Sequence, residues 1–344
     1  NDNQNSMCND VTMKELSVGE ICRCHDDASS LLMTPKEKEL YESFTTILLQ
    51  AELIHHRYSR DSCELENQAL RSLANQRVLF EEMADKDDDD DDNSSISISS
   101  SSSSSIIDAM LDPTTRATVS VRLAHEAVIQ QFILTLFFFA TNGHNWNKKE
   151  GFTTTTTTTR DAINTCCAWT GISCSTLGRI QEIRLANNGL DGSIPWQLWR
   201  MPFLKALDLS HNPNLVGTLF TTAGSTTTTS SSSSSSSLHS LEIASCGLEG
   251  SVPMDLLANV EGLTKIDLSN NNLNGTLPSE IGNLGRLREV WLDGNSLSGS
   301  IPSEIGSISN LEVLSLRENL LTGTIPFQLS RLEFLETLHL GTNN

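Results

Sequence analysis

Seven times along the second half of the chain, two aliphatic residues stand at alternating positions: Ile183/Leu185, Leu207/Leu209, Leu241/Ile243, Ile266/Leu268, Val290/Leu292, Leu314/Leu316 and Leu338/Leu340. Alternation of this kind predicts a short strand with one buried face. Three residues beyond each pair stands an asparagine (Asn188, Asn212, Asn271, Asn295, Asn319 or Asn343), with Cys246 filling one rung. From Asn271 onward the spacing is 24 residues every time. A strict period of this length predicts a solenoid in which parallel strands stack and each coil contacts only its neighbours. An amide side chain both donates and accepts, so the asparagine is expected to satisfy backbone groups where the chain leaves the strand. Cys246 can substitute as a weak donor that tolerates burial, which predicts an inert structural thiol.

After the rungs at 188, 246, 271, 295 and 319 comes Leu-x-Gly-x-Ile/Leu/Val-Pro, as in Leu190–Pro195 and Leu321–Pro326. The glycine permits a tight backbone conformation, and the proline fixes an extended stretch that cannot continue a central ladder. Together these residues resemble the plant-type leucine-rich repeat, the 24-residue class found in plant receptor ectodomains and polygalacturonase-inhibiting proteins. The resemblance covers roughly residues 178–344. It implies an α/β fold, a right-handed leucine-rich repeat solenoid with parallel strands on its concave face. The second repeat departs from the frame. Phe220 replaces the proline, a Thr/Ser tract follows over 221–237, and the step from Asn212 to Cys246 is 34 residues. Such an insert fits a loop on the outer side of a coil.

A solenoid's first coil must be covered. Immediately before it lies Cys166-Cys-Ala-Trp-Thr-Gly-Ile-Ser-Cys174, which resembles the N-terminal cap of the plant-type repeats. That resemblance implies a Cys167–Cys174 bridge and a second bridge from Cys166 to a cysteine preceding a helix, for which Cys63 is best placed. A second cap helix is expected over Arg122–Ala140. The following Thr141–Trp146 segment resembles the closing of capped leucine-rich repeat proteins in microalgae. The resulting layout is an acidic, partly helical region over 1–62, a split cap over 63–177 with an insert at about 85–112, and repeats over 178–344. Cysteines clustered around a cap point to an oxidising compartment. Cys22-Arg-Cys-His25 lacks the two spaced ligand pairs of a zinc site, and neither metal nor cofactor is expected. Cys8, Cys22 and Cys24 have no assigned partners.

Charge changes the picture only in the first third. The chain carries a net −20, and residues 1–115 hold 24 acids against 9 bases. The Asp85–Asp92 run and the Ser94–Ser105 run cannot bury enough apolar surface to fold and should be disordered. A bare aspartate run also lacks the spaced, glycine-turned ligands of a calcium loop. The acidic balance argues against nucleic acid. Helical spacing recurs over Pro35–Arg57, where His55 and His56 form a polar last turn. The apolar run Phe132–Ala140 is well short of the ~20 residues of a membrane span and reads as the buried face of the cap helix. No basic and apolar leader opens the chain. Asn93 and Asn274 head glycosylation sequons compatible with secretion. The chain stops within a seventh repeat, so continuation downstream is expected, with a membrane span or a further domain one way it could continue.

Function is expected on the concave face. One column reads Arg184, Asp208, Glu242, Asp267, Trp291, Ser315 and His339; the next reads Ala186, Ser210, Ala244, Ser269, Asp293, Arg317 and Gly341. Asp208, Ser210, Asp267 and Ser269 are defaults of the resembled family. Trp291 stands out, because aromatics and arginine are enriched among binding hot spots. It defines a candidate patch with Asp293, Arg317, Glu318 and His339, and Arg184 is a further candidate in the same column. No nucleophile elbow, phosphate loop or zinc helix is present. His339, Asp293 and Ser315 are expected to form a ladder without the buried orienting partner of a triad. A non-enzymatic, extracellular or cell-surface recognition module follows, binding protein, peptide or polysaccharide. A receptor-like ectodomain is the first form considered, and a soluble inhibitor or matrix component the second. Ice or mineral binding would need spaced threonine arrays, which the homopolymers Thr153–Thr159 and Thr226–Thr229 do not supply.

Overall fold

The computed structural model of the chain describes residues 35–51, 53–54, 65–66, 68–70, 72–74, 119–152, 166–219, 237–252, 260 and 262–344. The Asp and Ser runs, His55, His56, Cys8, Cys22, Cys24, Cys63, Asn93 and residues 220–236 lie outside them, as do the expectations that fall there. Two compact units are present, residues 1–139 with 157–162, and residues 140–156 with 163–344.

The first unit contains the Pro35–Gln50 helix, which ends earlier than its apolar spacing suggests, and nearly all of the Val119–Ala140 helix. Leu40, Phe44, Ile47 and Leu48 are buried on the first; Phe132, Ile133, Leu134, Leu136 and Phe137 are buried on the second. Helical residues also occur at 65–66, 68–70 and 72–74, with Ala69, Leu70 and Leu73 buried. No helix among the described residues is long and apolar enough to cross a membrane.

The second unit is the solenoid. Its strands on one face are β2 (Ile180–Arg184), β4 (Ala206–Asp208), β6 (Ser240–Glu242), β8 (Lys265–Asp267), β10 (Glu289–Trp291), β12 (Val313–Ser315) and β14 (Thr337–His339). They pair in parallel in that order, and β1 (Ile172–Cys174) closes the edge antiparallel to β2. The first six aliphatic pairs point inward, with Ile183, Leu207, Leu209, Leu241, Ile243, Leu268, Leu314 and Leu316 fully buried, whereas Leu338 of the seventh is exposed.

Each rung asparagine is an adapter between coils. Asn295 Nδ2 donates to the carbonyls of Leu268 in the preceding coil and of Leu292 and Asp293 in its own, while Oδ1 accepts from Leu273 N at 3.0 Å. Asn212, Asn271 and Asn319 repeat the arrangement. At the Cys246 rung the thiol donates to Leu209 O (3.4 Å) and Ala244 O (3.5 Å). A thiol is a poor acceptor. The amide it would otherwise serve, Leu215 N, donates instead to Asn212 O at 2.9 Å. That bond exists because the second repeat has one extra residue, Pro213, between its rung and its leucine. Burial pushes the Cys246 thiol up to about 11, so it stays protonated.

Two features depart from the sequence expectation. The Leu-x-Gly-x segments form a second parallel sheet: β3 (Asp191–Ser193), β5 (Asn214–Thr218), β7 (Gly247–Ser251), β9 (Asn272–Thr276), β11 (Ser296–Gly299) and β13 (Leu320–Leu321). The proline comes just after it and opens a 3-10 turn, as Pro302 does for Ser303–Ser307, so it interrupts no ladder. Successive 3-10 turns then touch closely. A Cβ on Gly306 would meet the Gln328 carbonyl oxygen at 2.5 Å.

The N-terminal cap reproduces a coil without repeating its sequence. Trp146, Phe152 and Trp169 pack in a buried row, the first pair edge to face and the second tilted, with centroids 4.9 and 4.5 Å apart. The Lys148 carbonyl accepts from Asn188 Nδ2 at 3.0 Å, and Asp191 N donates to Thr141 O, so the ladder and the second sheet are both satisfied at this end. Cys167 and Cys174 are disulfide-bonded. Cys166 is buried, and its expected pairing with Cys63 falls outside the described residues.

Candidate functional site: the concave sheet

Strand register decides which side chains share a column. Arg184 pairs with Asp208, Asp208 with Glu242, Glu242 with Asp267, Asp267 with Trp291, Trp291 with Ser315, and Ser315 with His339. A parallel column on the strand residues before the aliphatics runs Glu182, Ala206, Ser240, Lys265, Glu289, Val313 and Thr337. The sequence reading left this column out, although it lies on the same face and shares the period of 2.

The second column decides how Trp291 is held. Its indole Nε1 donates to Glu289 Oε2 at 3.1 Å. Glu289 lies 3.9 Å from Lys265 Nζ, and Lys265 bonds Glu242 Oε2 at 2.8 Å. For Glu242, partial burial disfavours the charge, but the Lys265 and Ser240 hydrogen bonds outweigh it and lower the carboxyl. The Lys265 ammonium is raised in turn: burial opposes its charge, and Glu242, Glu289 and Asp267 overcome that. The half-buried Trp291 ring therefore has a fixed orientation with its N–H already used.

Toward the C-terminal coils, Asp293 Oδ1 accepts from Ser315 Oγ and from Arg317 N (3.1 Å), and Ser315 Oγ lies 3.3 Å from His339 Nδ1. Arg317 and Glu318 pair with each other. Trp291, Asp293, Arg317 and His339 thus occupy three successive coils, with Ser315 as the link. Arg184 does not join them. It pairs with Glu182 at 3.0 Å on β2, four strands from β10, or about 19 Å at ordinary strand spacing. The Asp293–Ser315–His339 row is not a hydrolytic triad. Ser315 is 1% exposed and stands between the other two groups, with its hydroxyl proton directed at the aspartate. A triad instead needs histidine between an exposed hydroxyl and the acid.

Comparison with known proteins fits this geometry. Residues 262–284, 286–308 and 310–332 match the family model for Leucine Rich Repeat. These coils are leucine-rich repeats. Receptor-like protein 50 of Arabidopsis thaliana is 35% identical over 116 residues, covering 33% of this chain and 12% of that protein. Receptor-like protein 7 of the same plant is 33% identical over 111 residues, covering 29% and 11%. The matched leucine-rich repeats therefore span about a tenth of the curated relatives. Among solved structures, the Arabidopsis receptor kinase HAESA in complex with the peptide hormone IDA and the co-receptor SERK1 aligns at TM-score 0.51 and 28% identity, over 63% of this chain and 33% of that one. A plant ice-binding protein aligns at TM-score 0.51 and 26% identity, over 61% and 70%.

Proposed function

We propose that this leucine-rich repeat segment is the extracellular recognition module of a receptor-like protein, and that it takes a peptide or protein ligand on its concave sheet. The observation that carries the reading is the break in that sheet's uniformity at β10. There a fixed, half-buried indole is flanked by Asp293 and, over the next two coils, by Arg317 and His339. Rigid aromatic anchors of this kind tend to supply most of an interface's energy. The likeness to receptor-like proteins and to a peptide-binding receptor kinase supports the class of partner. A disulfide at the cap suits an oxidising, extracellular setting.

The test uses heptapeptides selected from a random library against the segment. Trp291→Ala should weaken them about tenfold or more, the loss of one hot-spot contact, and leave the melting temperature unchanged. Equal affinity in the variant rejects the patch.

One observation favours a second reading. The residue after each second-sheet glycine is Ser193, Thr218, Ser251, Thr276, Ser300 or Thr324, one hydroxyl per coil, and all but the half-buried Thr218 are exposed. This spaced row lies apart from the homopolymeric threonine tracts and accompanies the likeness to an ice-binding protein. Asp191, Val216 and Glu249 interrupt the neighbouring column, so the receptor reading stands first. Thermal hysteresis of the purified segment that disappears in Thr276→Tyr would reverse that order.

A further inference from the structure

Trp291 is surrounded by three carboxylates, of which only Glu289 lies within ion-pair distance of a cation among the described residues. Asp267 is its register partner on β8, Glu289 lies two residues before it, and Asp293 two residues after. Asp267 Oδ1 accepts only from neutral groups, Ser269 N at 3.1 Å and Ser269 Oγ at 2.7 Å. Asp293 likewise accepts from a serine hydroxyl and a backbone amide. Neither bond neutralises the charge. Lys265 is committed first to Glu242 and reaches Glu289 only at 3.9 Å. Arg317 is paired with Glu318, and Arg288 bonds Glu312 at 2.8 Å. His339 lies against Ser315. Five carboxylates (Glu242, Asp267, Glu289, Asp293 and Glu318) therefore face two bases, Lys265 and Arg317, on this stretch of sheet.

The indole N–H is engaged by Glu289. What remains is the ring face, whose quadrupole attracts a cation. We infer that the Trp291 ring, framed by Asp267 and Asp293, seats a lysine or arginine side chain of the peptide partner. The inference rests on the concave-face reading and names the chemistry of its ligand. Stacking on the ring gives a planar guanidinium or an ammonium an attractive surface, and the two aspartates add charge complementarity that speeds encounter and weakens with salt.

The experiment pans a random heptapeptide library on the full chain and retains peptides whose binding needs Trp291. Those peptides should be enriched in arginine or lysine. Replacing that one residue by glutamine should cost about three- to tenfold, the range of a partly desolvated cation–π contact. Trp291→Phe should keep most of the affinity, and Trp291→Leu, which retains apolar area without the quadrupole, should lose it. Asp267→Asn and Asp293→Asn keep the Oδ1 acceptor while removing charge, so each should cost about two- to fivefold at low salt and less near 0.3 M. Trp291-dependent peptides that are acidic or purely apolar, or a Leu variant as good as Phe, would overturn the cation seat while leaving the concave site standing. An absence of any Trp291-dependent peptide would overturn both.

Discussion

At the scale of single residues, the solenoid is held by one side chain per coil and made costly by the residue before it. Asn187, His211, Ser245, Asn270, Glu318 and Thr342 all have φ between 51° and 60°, and Gly294 stands at the same place with φ 61°. Every coil must turn left-handed there to bring the rung amide inward, whatever the side chain. For Glu318 that conformation costs about 1 kcal/mol or more, so Glu318→Asn should raise stability by about 0.5–1 kcal/mol in chemical denaturation; a loss would mean that its pairing with Arg317 matters more than strain. The rungs themselves are worth more. Asn295→Ala strands the buried Leu273 N, while Leu268 O keeps Asn271 Nδ2 as a donor, and should cost about 1–3 kcal/mol. Cys246→Asn makes the reciprocal point. Its new Oδ1 could take the Asn212 amide, which already lies against the Cys246 sulfur, but not Leu215 N, which bonds Asn212 O. The larger amide is only partly satisfied, so the change should destabilise by about 0.5–1 kcal/mol. Deleting Pro213 in the same chain should recover much of that, and strict additivity of the two changes would contradict the coupling. The rungs were legible because asparagine recurs at a fixed offset. The left-handed position was not, because seven coils place five other residue types there besides asparagine and glycine never more than once.

At the scale of elements, the concave strands announced themselves by alternation, whereas the second sheet did not. Segments such as Asp191-Gly192-Ser193 and Gly247–Ser251 are poor in β-formers; they become strands only because the rungs set each coil on the one before it. Short propensity-based reading has no access to that constraint. The disulfide was legible through the cap motif alone. Closing a loop with sequence separation 7, it should contribute about 2–3 kcal/mol. Cys167→Ser with Cys174→Ser should therefore loosen β1 and β2, raising amide exchange at Ile172–Arg184 while β10–β14 stay protected, as nearest-neighbour coupling requires. The Glu242–Lys265 pair sets a pH signature. Glu242 is depressed in the folded state, so its contribution is present above the unfolded value and lost as pH falls through the folded one. Lys265 is raised, so its contribution is present below about 10.5 and lost as pH rises beyond it. Both groups are partly exposed, which keeps the pair under about 1 kcal/mol. Glu242→Gln should lower stability slightly at neutral pH, by less than about 1 kcal/mol, change it little at low pH, and so flatten the acid limb of the profile.

At the scale of the molecule, the repeat unit presents two sheets of opposite character. One is a regular hydroxyl-bearing surface, and the other a concave face whose regularity fails at Trp291. The columns that isolate Trp291, Asp293, Arg317 and His339 could be read from the period, because a strand's outward positions follow from its inward ones. Glu289 and Lys265 were missed for want of one further column, and Asp267 was set aside as a family default; all three bear on what the indole can hold. Arg184 shared a column with the patch but stands too far along the solenoid to join it. The most direct test of the concave-face account is an NMR titration of the isotope-labelled chain with a selected heptapeptide, following indole N–H signals and backbone amides together. The account predicts that the Trp291 indole and amides of β10, β12 and β14 move while those of β7, β9 and β11 stay fixed. Shifts confined to the second sheet, with the Trp291 signal unmoved, would contradict it.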